Sequence, residues 1–464
     1  MEQIHLEKKK NYIEKLQKAV SSGKISNWNI NTFDSKKLNI YVQSNYKVES
    51  ILNSHREEIE FTIYKEFSDN TLGSSSFILN IDDDVSKFNS ELEDAIFICS
   101  QGKSKKYVLP SKDDDFCDDR KINYDDFYSK KFEKDFDSNS LHLFFEEKLL
   151  IFKALIKKEK KYNIKLNYIE FMNNLSKSSL ETSKGILKSS KKNSSYMEFV
   201  LSAKLNEKEN EREYIVYHDI NDLYSFDFEK FFSTTIESCK NSILAKAISN
   251  FKGEVILSGK ATNDFFNPDL TMNSIIAHCG ARLKFLNISK FELGKEILNF
   301  KCDKITIYSN PLLKGNMGSV PYDNLGVSAK RICLIENGIF KNNFAGKQYA
   351  DYLNIKPTGP FGVIEIDEGK VSMKDLLSSK NEIYEIDSFS SFVPDVVSGD
   401  FSAEIRLGFI IKNGEKIPFK GGLFTGNIFK ILEEVKLSKE RINLKGYFGP
   451  QMIKFMKGEI IGLN

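Results

Sequence analysis

The spacing of apolar residues switches between helical and strand-like twice in the first 250 residues, and this switching limits the fold more than any other feature. Apolar side chains recur every three or four residues in four segments, which is the spacing of an amphipathic helix that buries one face. These segments are Leu6 to Val20, Val85 to Cys99, Leu141 to Ile156 and Phe228 to Ile248. Strand-like stretches precede the second and the fourth of these helical segments. The front half is therefore predicted to form α/β layers in which strands are followed by long helices.

Six short strands are predicted around these helices. They are Leu38 to Val42, Glu60 to Tyr64, Ser76 to Ile81, Ile164 to Phe171, Tyr196 to Leu205 and Glu213 to His218. Asp84 and Asp227 are placed to cap the helices that follow. A Ser/Lys-rich loop is expected from Ser176 to Ser195. The Asp/Lys-rich stretch from Ser111 to Asp137 is expected to be a solvated connector, because the ligand order of a calcium loop is missing.

The pattern changes after Glu254, where strands separated by glycines replace long helices. A strand at Val255 to Leu257 leads to Asn267-Pro268, a pair that is typical of a helix start. The predicted helix carries one apolar stripe, made of Met272, Ile275, Cys279, Leu283 and Leu286. It is the last long helix that the sequence predicts in this half.

Two Asn-Gly pairs then mark hairpins. Asn337-Gly338 and Asn413-Gly414 each follow an apolar strand, and type I′ turns need positive φ at both central residues. The predicted class is α+β, with N-terminal α/β layers and a β-rich C-terminal domain with hairpins. The predicted units are residues 1–110, an N-terminal α+β unit; 111–250, a connector, a long helix and a middle α+β unit; and 251–464, the β-rich domain.

Charge and hydropathy exclude several classes of protein. The 67 Lys and Arg residues against 65 Asp and Glu residues give a net charge of +2, so no overall field draws the chain to nucleic acid. The longest apolar runs, such as Ala95 to Cys99, cover four or five residues, whereas a helix needs about 20 to cross a bilayer. The charged start, Met1 to Lys10, lacks an apolar signal segment. We expect a cytoplasmic protein that binds neither nucleic acid nor membrane, with its six cysteines reduced.

His278 lies on the one predicted helix that resembles a metalloenzyme helix. A zinc peptidase needs two imidazoles on one helical face and a glutamate that polarises water. Here His278 is followed by a thiol, Cys279, and no second histidine is near. An isolated histidine beside an apolar stripe is usually a structural residue. We therefore predict no metal ligand and no catalytic residue, with His278 and Cys279 as the candidates if this chain does catalyse a reaction.

Several ordered motifs resemble those of the TldD/PmbA (TldE) peptidase family. In that family a yDdEGv turn is followed by a strand ending in lIENG and then by sTG, tGdfS, GflIeNGe and aGN motifs. The counterparts here are Gly318 to Val327, Leu334 to Gly338, Pro357 to Gly359, Ser398 to Ser402, Gly408 to Glu415 and Gly426-Asn427, with Thr182 to Gly185 as a looser match to an NSeG turn. Their shared order makes the resemblance specific from roughly residue 315 to 430.

The resemblance implies a pair of related chains. One carries HExxxH and a late cysteine and binds zinc; the other lacks both, and the complex trims leader peptides and digests unfolded or short peptides. In this chain the corresponding helix reads HCGARL, with Cys279 at the glutamate position and Leu283 at the second histidine position, and no cysteine follows Cys333. These departures imply the PmbA/TldE-like branch. The chain is expected to be a zinc-free subunit without a cofactor of its own, and zinc is expected in an HExxxH-containing sister subunit; a homodimer is the other possible assembly.

The resemblance also implies an extended peptide substrate, and such peptides commonly pair along a sheet edge. Candidate substrate-binding residues lie in two turn motifs: Tyr322, Asp323, Gly326, Gly399, Asp400, Phe401 and Ser402. The alternative is that both motifs are purely structural turns. Two other functions stay open at this point. One is a peptidase or hydrolase with a non-zinc site near His278 and Cys279, and the other is a drifted, non-enzymatic peptide-binding protein.

Overall fold

The front half of the chain forms one seven-stranded antiparallel sheet. The structure is a computed structural model that describes residues 2–463 except 139, 207, 209–210 and 267–273, with the backbone alone for residues 2–7. The strands are β1 (Asn27–Gln43), β2 (Val48–Glu66), β3 (Thr71–Asn80), β4 (Lys103–Lys105), β5 (Lys165–Thr182), β6 (Leu187–Ala203) and β7 (Arg212–Ile220). Their order is β4-β3-β2-β1-β5-β6-β7, so the units predicted at 1–110 and 111–250 share one sheet.

The helices of the front half pack on one face of this sheet. They are α1 (Glu2–Ser21), α2 (Val85–Gln101), α3 (Lys130–Asp137), α4 (Leu141–Lys158) and α5 (Phe228–Leu244). Phe88 of α2 and Phe152 of α4 are fully buried, each in a separate core. Ile30 and Leu38 of β1 belong to these two cores. Because they are an even number of residues apart on one strand, both cores lie on the same face.

The predicted strands are present, and most are longer in the structure than their apolar residues indicated. The predicted loop from Ser176 to Ser195 is wrong, since most of it lies in the β5–β6 hairpin, with a turn at residues 183–186. Hydroxyl side chains pair across the strands there, as Ser178 does with Ser190 at 2.9 Å. Such cross-strand pairs stabilise a sheet without apolar residues.

The stretch predicted as a solvated connector is partly anchored. It contains short 3-10 turns at Asp115–Cys117 and Tyr124–Phe127 and then α3. Cys117 and Phe132 are buried within it, which fixes the stretch against the rest of the protein at two points.

The back half contains two further sheets. Their strands are β8 (Phe251–Ser258), β9 (Ile307–Asn310), β10 (Ile332–Glu336), β11 (Ile339–Phe340), β12 (Val363–Ile366), β13 (Ile383–Pro394), β14 (Asp400–Lys412), β15 (Glu415–Phe419), β16 (Leu423–Asn427), β17 (Val435–Leu437), β18 (Arg441–Leu444), β19 (Tyr447–Pro450) and β20 (Met452–Ile461). One sheet has the order β11-β10-β9-β12-β19-β18, and the other β13-β8-β20-β16-β14-β15 with β17 on β20. Since β13 also pairs with β14, strands β13, β8, β20, β16 and β14 form a closed ring. The predicted α+β class is confirmed.

Both predicted hairpin turns are confirmed. Asn337 and Gly338 have φ of 48° and 77°, and Asn413 and Gly414 have φ of 52° and 82°. The residues on either side pair directly, Glu336 with Ile339 and Lys412 with Glu415.

The single helix predicted across His278 is wrong. The described helices in and beyond this region are α6 (Lys260–Phe266), α7 (Ser274–Cys279), α8 (Ala281–Phe285), α9 (Lys347–Leu353), α10 (Met373–Leu376) and α11 (Ile428–Ile431). Gly280, extended at φ −77° and ψ 138°, separates α7 from α8, and the Ala281 amide donates to the Phe344 carbonyl instead of continuing the helix. Asn267-Pro268 and Met272 lie outside the described residues.

None of the described helices is both long enough and apolar enough to span a membrane, which takes about 20 predominantly apolar residues.

Candidate functional site

His278, at the end of α7, is a fully buried histidine with both ring nitrogens bonded to the backbone. The Lys290 amide donates to Nδ1 at 3.0 Å, and Nε2 lies 3.2 Å from the Val397 carbonyl. Because an amide N–H can only donate, Nδ1 is the acceptor and the proton is on Nε2. Burial lowers the pKa of His278 below its usual range, so the ring is neutral and joins three separate segments of chain.

The residues beside His278 do not fit a zinc site. Cys279 is fully buried in the apolar core, and burial raises the pKa of its thiol far above the usual range. Leu283, at the second histidine position of the family motif, is a buried apolar residue on the other side of the Gly280 break. Zinc needs a free imidazole lone pair and deprotonated ligands, and a ligand role for His278 would require breaking the bond from Lys290.

The turn before β14 is held against the His278 ring. Asp395 accepts the amides of Val397 and Ser398 at 3.0 and 2.6 Å, which aims the Val397 carbonyl at the imidazole. Gly399 has φ of 86°, and a Cβ there would lie 2.5 Å from the Phe429 ring. This part of the predicted substrate-binding set therefore lies beside His278, as a tightly packed turn.

The remaining members of that turn motif point in different directions. Asp400 accepts a hydrogen bond from Asn427 at 2.8 Å, Phe401 is buried among core rings, and Ser402 is exposed on β14. Asn427 also caps α11 by accepting the Phe429 amide at 3.1 Å. The aGN motif could have indicated this role, because asparagine is a favoured N-cap residue.

The other predicted turn, Tyr322 to Gly326, packs elsewhere, on the β5–β6 hairpin. Gly326 has φ of 86°, and a Cβ there would lie 2.7 Å from Ile186. Asp323 accepts the amides of Leu325 and Val327 at 2.9 Å each. Burial raises the pKa of Asp323 to about 6, even though these hydrogen bonds lower it. The Tyr322 hydroxyl is buried without a hydrogen-bond partner.

A buried lysine of β6 fixes this second turn, and sequence reasoning missed it. The Lys188 ammonium donates to the Cys117 carbonyl and the Ser328 hydroxyl, both at 2.8 Å, and lies 3.4 Å from Asp119. Two hydrogen-bond acceptors and one carboxylate thus surround the ammonium. No local signal separates Lys188 from the other lysines of the hairpin, because its partners come from distant parts of the chain.

A cleft of about 790 Å³ lies between the front sheet and the back domain. The end of β7, the start of α5 and loops of the back domain line it, with residues that include Asp219, Asn221, Phe226, Phe231, Asn316 and Asn443. His218 contributes a neutral ring, since burial lowers its pKa to about 4. The two predicted turn motifs are not among the residues that line this cleft. The polar residues His218, Asp219, Asn221 and Asp222, around the apolar Ile220, were the available sequence signal for it.

Within the described part of the chain, one trio has ligand atoms close enough to hold a metal ion: Asp34, His55 and Glu57. His55 Nε2 lies 2.8 Å from Asp34 and 3.3 Å from Glu57. About half of the His55 side chain is exposed, so these are surface polar contacts of the kind that contribute little to stability. It lies on β1 and β2, in a different sheet from the strands around His278.

Comparison with known proteins agrees with the motifs. Residues 252–460 match the family model described as PmbA/TldA metallopeptidase C-terminal domain. The crystal structure of TldE from Thermococcus kodakarensis aligns with a TM-score of 0.74 and 18% identity, covering 96% of this chain and 100% of that one. The back half of the chain, residues 252–460, belongs to the TldD/PmbA family. The fold likeness to TldE includes the front sheet, which lies outside the matched family model.

Two further relatives match this chain over shorter segments. An uncharacterized protein of Methanocaldococcus jannaschii is 28% identical over 249 residues, or 51% of this chain and 57% of the relative. A Buchnera aphidicola protein named metalloprotease TldD homolog is 26% identical over 160 residues, or 31% of this chain and 32% of the relative. The chain thus spans about half or less of the length of these relatives.

Proposed function

We propose that this TldD/PmbA chain is the zinc-free, non-catalytic subunit of a cytoplasmic TldD/TldE-type peptidase complex. Its partner would be an HExxxH-containing sister chain that holds the zinc, or a second copy of itself. The complex would remove leader peptides or digest unfolded and short peptides. This chain would shape the chamber, exclude water and hold the extended peptide.

One observation carries the proposal: both nitrogens of His278 are bonded to the backbone. To activate a water, a zinc ion must be held by protein ligands with free lone pairs, and a general base must lie within reach of the water. At the positions of the family motif this chain offers a saturated imidazole, a core thiol and a buried leucine, in two helices that Gly280 separates. The imidazole connects separate segments of the chain, and the thiol and the leucine are packed in the interior.

The same geometry argues against a hydrolase built on His278 and Cys279. A nucleophilic thiol must be accessible and partly ionised, whereas Cys279 is fully buried and burial raises its pKa. The 790 Å³ cleft is a better place for a peptide, because it is open and lined by aromatic, amide and charged side chains, five aspartates among them. The turn motifs at 322–326 and 399–402 would then support the fold around the substrate.

The first expected result concerns metal. We expect the chain purified alone to contain far less than one equivalent of zinc. A chelator should leave its melting temperature unchanged, because both nitrogens of His278 are already hydrogen-bonded and hold no ion that a chelator could remove. Elemental analysis and thermal unfolding with and without chelator measure this. Stoichiometric zinc that is lost in His278→Ala would contradict the proposal. Zinc lost only in His55→Ala would place the ion at the exposed trio instead.

The second expected result concerns assembly. Co-expression with an HExxxH homologue should yield a stable complex that cleaves peptides, while this chain alone stays inactive. Size exclusion and a peptide-cleavage assay measure both properties. The matched control replaces the glutamate of the homologue's motif by glutamine, which should abolish activity and preserve the complex. Separate elution of the two chains at micromolar concentration would defeat the subunit model, and activity of the lone chain that is lost in Cys279→Ala would support a hydrolase.

A further inference from the structure

The front sheet has a second face, opposite its helices, that carries polar and aromatic side chains. On β5, Ile169 and Phe171 point into the core beneath the helices. Side chains alternate along a strand, so Tyr168 and Glu170 point to the opposite, open face. The cross-strand register extends this face from β1 to β7, because the three ladders that join β1, β5, β6 and β7 are continuous from Tyr168 onward.

Two glutamates lie directly opposite each other on this open face. Glu170 of β5 pairs with Glu198 of β6, and like charges in this position destabilise a sheet. The Glu170 carboxylate accepts hydrogen bonds from Asn39 at 3.0 Å and from Tyr168 at 2.9 Å. The Glu198 carboxylate accepts one from Tyr196 at 3.3 Å. All three donors are neutral, and no cationic side chain of the described residues forms an ion pair with either glutamate.

Four tyrosines surround the glutamate pair. Tyr41 and Tyr217 lie directly opposite the two glutamates, on the flanking strands β1 and β7. Tyr168 and Tyr196 precede the glutamates by two residues on antiparallel strands, so these two tyrosines lie on opposite sides of the pair along the strands. The ring centroids of Tyr41 and Tyr168 are 6.2 Å apart, and those of Tyr196 and Tyr217 are 6.5 Å apart. We call these six residues the tyrosine–glutamate patch.

The patch has the chemistry of a site for an organic cation. Tyrosine ring faces attract ammonium and guanidinium groups, and carboxylates form strong charge-assisted hydrogen bonds with them. Two cations of the back domain already contact the border of the patch, since the Lys260 nitrogen and the Arg406 guanidinium carbon lie 5.2 and 5.9 Å from the centre of the Tyr217 ring. Lys260 pairs with Asp264 at 2.9 Å, and Arg406 donates to the Ile215 carbonyl at 2.9 Å. The glutamate pair thus stays available to a ligand.

The patch adjoins the 790 Å³ cleft. Asp219 lines the cleft and lies directly opposite Tyr196 of the patch. An extended peptide that leaves the cleft across β7 therefore reaches the patch next. Successive side chains of an extended chain point to opposite sides, so one side chain of the peptide can enter the patch while its neighbours point away from the sheet.

We infer that the tyrosine–glutamate patch binds the lysine or arginine side chain of an extended peptide substrate. The cation lies between the Glu170 and Glu198 carboxylates, with the tyrosine rings around it, and its charge relieves the repulsion of the pair. The inference rests on the proposed function for the peptide nature of the ligand. To that function it adds a preference for a basic residue next to the segment that the cleft holds.

Peptide binding to the purified full chain, measured by fluorescence anisotropy, tests the site. The probe is a fluorescein-labelled, C-amidated peptide of glycine, serine and threonine with one central arginine, and the reference peptide has glutamine in its place. We expect the arginine peptide to bind about tenfold more tightly, as for hydrogen bonds between charged groups. The preference should fall in Glu198→Gln and disappear in the double variant Glu170→Gln, Glu198→Gln. Glu213→Gln is the matched control, because it removes a carboxylate from the same face of β7 outside the patch, and it should keep the full preference.

Two changes at one position test the contribution of the rings. Tyr196→Leu removes the ring and should weaken binding of the arginine peptide by about threefold, the effect of one cation–π contact. Tyr196→Phe keeps the ring face and should bind the arginine peptide more tightly than Tyr196→Leu does. Equal affinity of the two variants would show that the ring takes no part in binding the cation.

The stability of the free chain provides a second measure. Glu170→Gln keeps the shape of the side chain and removes the repulsion between the glutamates. We therefore expect it to raise the melting temperature without peptide while it weakens binding of the arginine peptide. A lower melting temperature would show that the glutamate pair serves the fold, which would count against a binding site. Circular dichroism checks that each variant is folded.

Equal affinity of the chain for the arginine and glutamine peptides, or a preference that persists in the double variant, would overturn the inference. This outcome is separate from failure of the proposed function. An active complex with an HExxxH homologue, together with no arginine preference, would refute the site alone. A clear arginine preference that the double variant loses, together with no complex on co-expression, would support the site and refute the subunit role.

Discussion

Replacing His278 by alanine is expected to lower the free energy of unfolding by about 3–5 kcal/mol and to leave metal content unchanged. The change removes a buried ring. It also removes the hydrogen-bond partner of the Lys290 amide, at 3.0 Å, and of the Val397 carbonyl, at 3.2 Å. Each buried group left unsatisfied costs about 1–3 kcal/mol, and the cavity adds to that. Denaturant titration followed by fluorescence and circular dichroism measures the loss.

The neighbouring Lys290→Ala variant is the matched control. It removes an exposed side chain whose ammonium donates to the Ser398 carbonyl at 3.1 Å, but it keeps the main-chain amide that bonds His278. We expect a cost below about 1 kcal/mol, as for other exposed polar contacts. If His278→Ala were as mild as Lys290→Ala, the imidazole would not be the structural residue that its contacts indicate.

The local parts of the fold could be predicted from the sequence because their causes are local. Asp84 and Asp227 cap α2 and α5 by accepting amides three residues on, at 2.9 and 3.0 Å. The two Asn-Gly turns likewise depend on the φ preferences of two residues. These elements appear where short-range geometry alone selects them.

The strand lengths could not be predicted because much of their stability comes from pairing. β1 runs from Asn27 to Gln43, yet only its ends carry the buried apolar alternation that predicts a strand. Its middle is polar and is held between β2 and β5 on both sides. The outer part of the β5–β6 hairpin, predicted as a loop from Ser176 to Ser195, was missed for the same reason: lysine has a low intrinsic strand preference, and this segment is held as strand by pairing with its neighbour.

The candidate site was predictable in its parts and not in its arrangement. The motifs identified His278 and the 399–402 turn separately, but the bond between His278 and Val397 joins residues 119 positions apart. The helix break at Gly280 likewise depends on Phe344, which is distant in sequence. Whether a histidine is a ligand or a structural residue is decided by such distant partners.

Gly359, in the turn that resembles the family's sTG motif, shows how such a distant contact can demand one residue type. It has φ of 78°, and a Cβ there would lie 2.4 Å from the Ser328 carbonyl oxygen. Left-handed backbone costs a residue with a side chain about 1–2 kcal/mol. The collision adds to this, because the atom met is main chain and cannot rotate away. We expect Gly359→Ala to lose about 3–5 kcal/mol of stability in total.

Gly414→Ala separates the two causes. Gly414 has φ of 82°, but nothing lies within 4 Å of the position of its Cβ, so the backbone conformation is matched and the collision is absent. We expect a loss of about 1–2 kcal/mol there. Urea midpoints of the two variants, with soluble yield as a second measure, give the difference. Equal losses would mean that the chain between Ser328 and Gly359 relaxes freely, so the motif would be selected by its φ alone. A larger loss at Gly359 would show that close packing of the Ser328 main chain against this turn requires glycine.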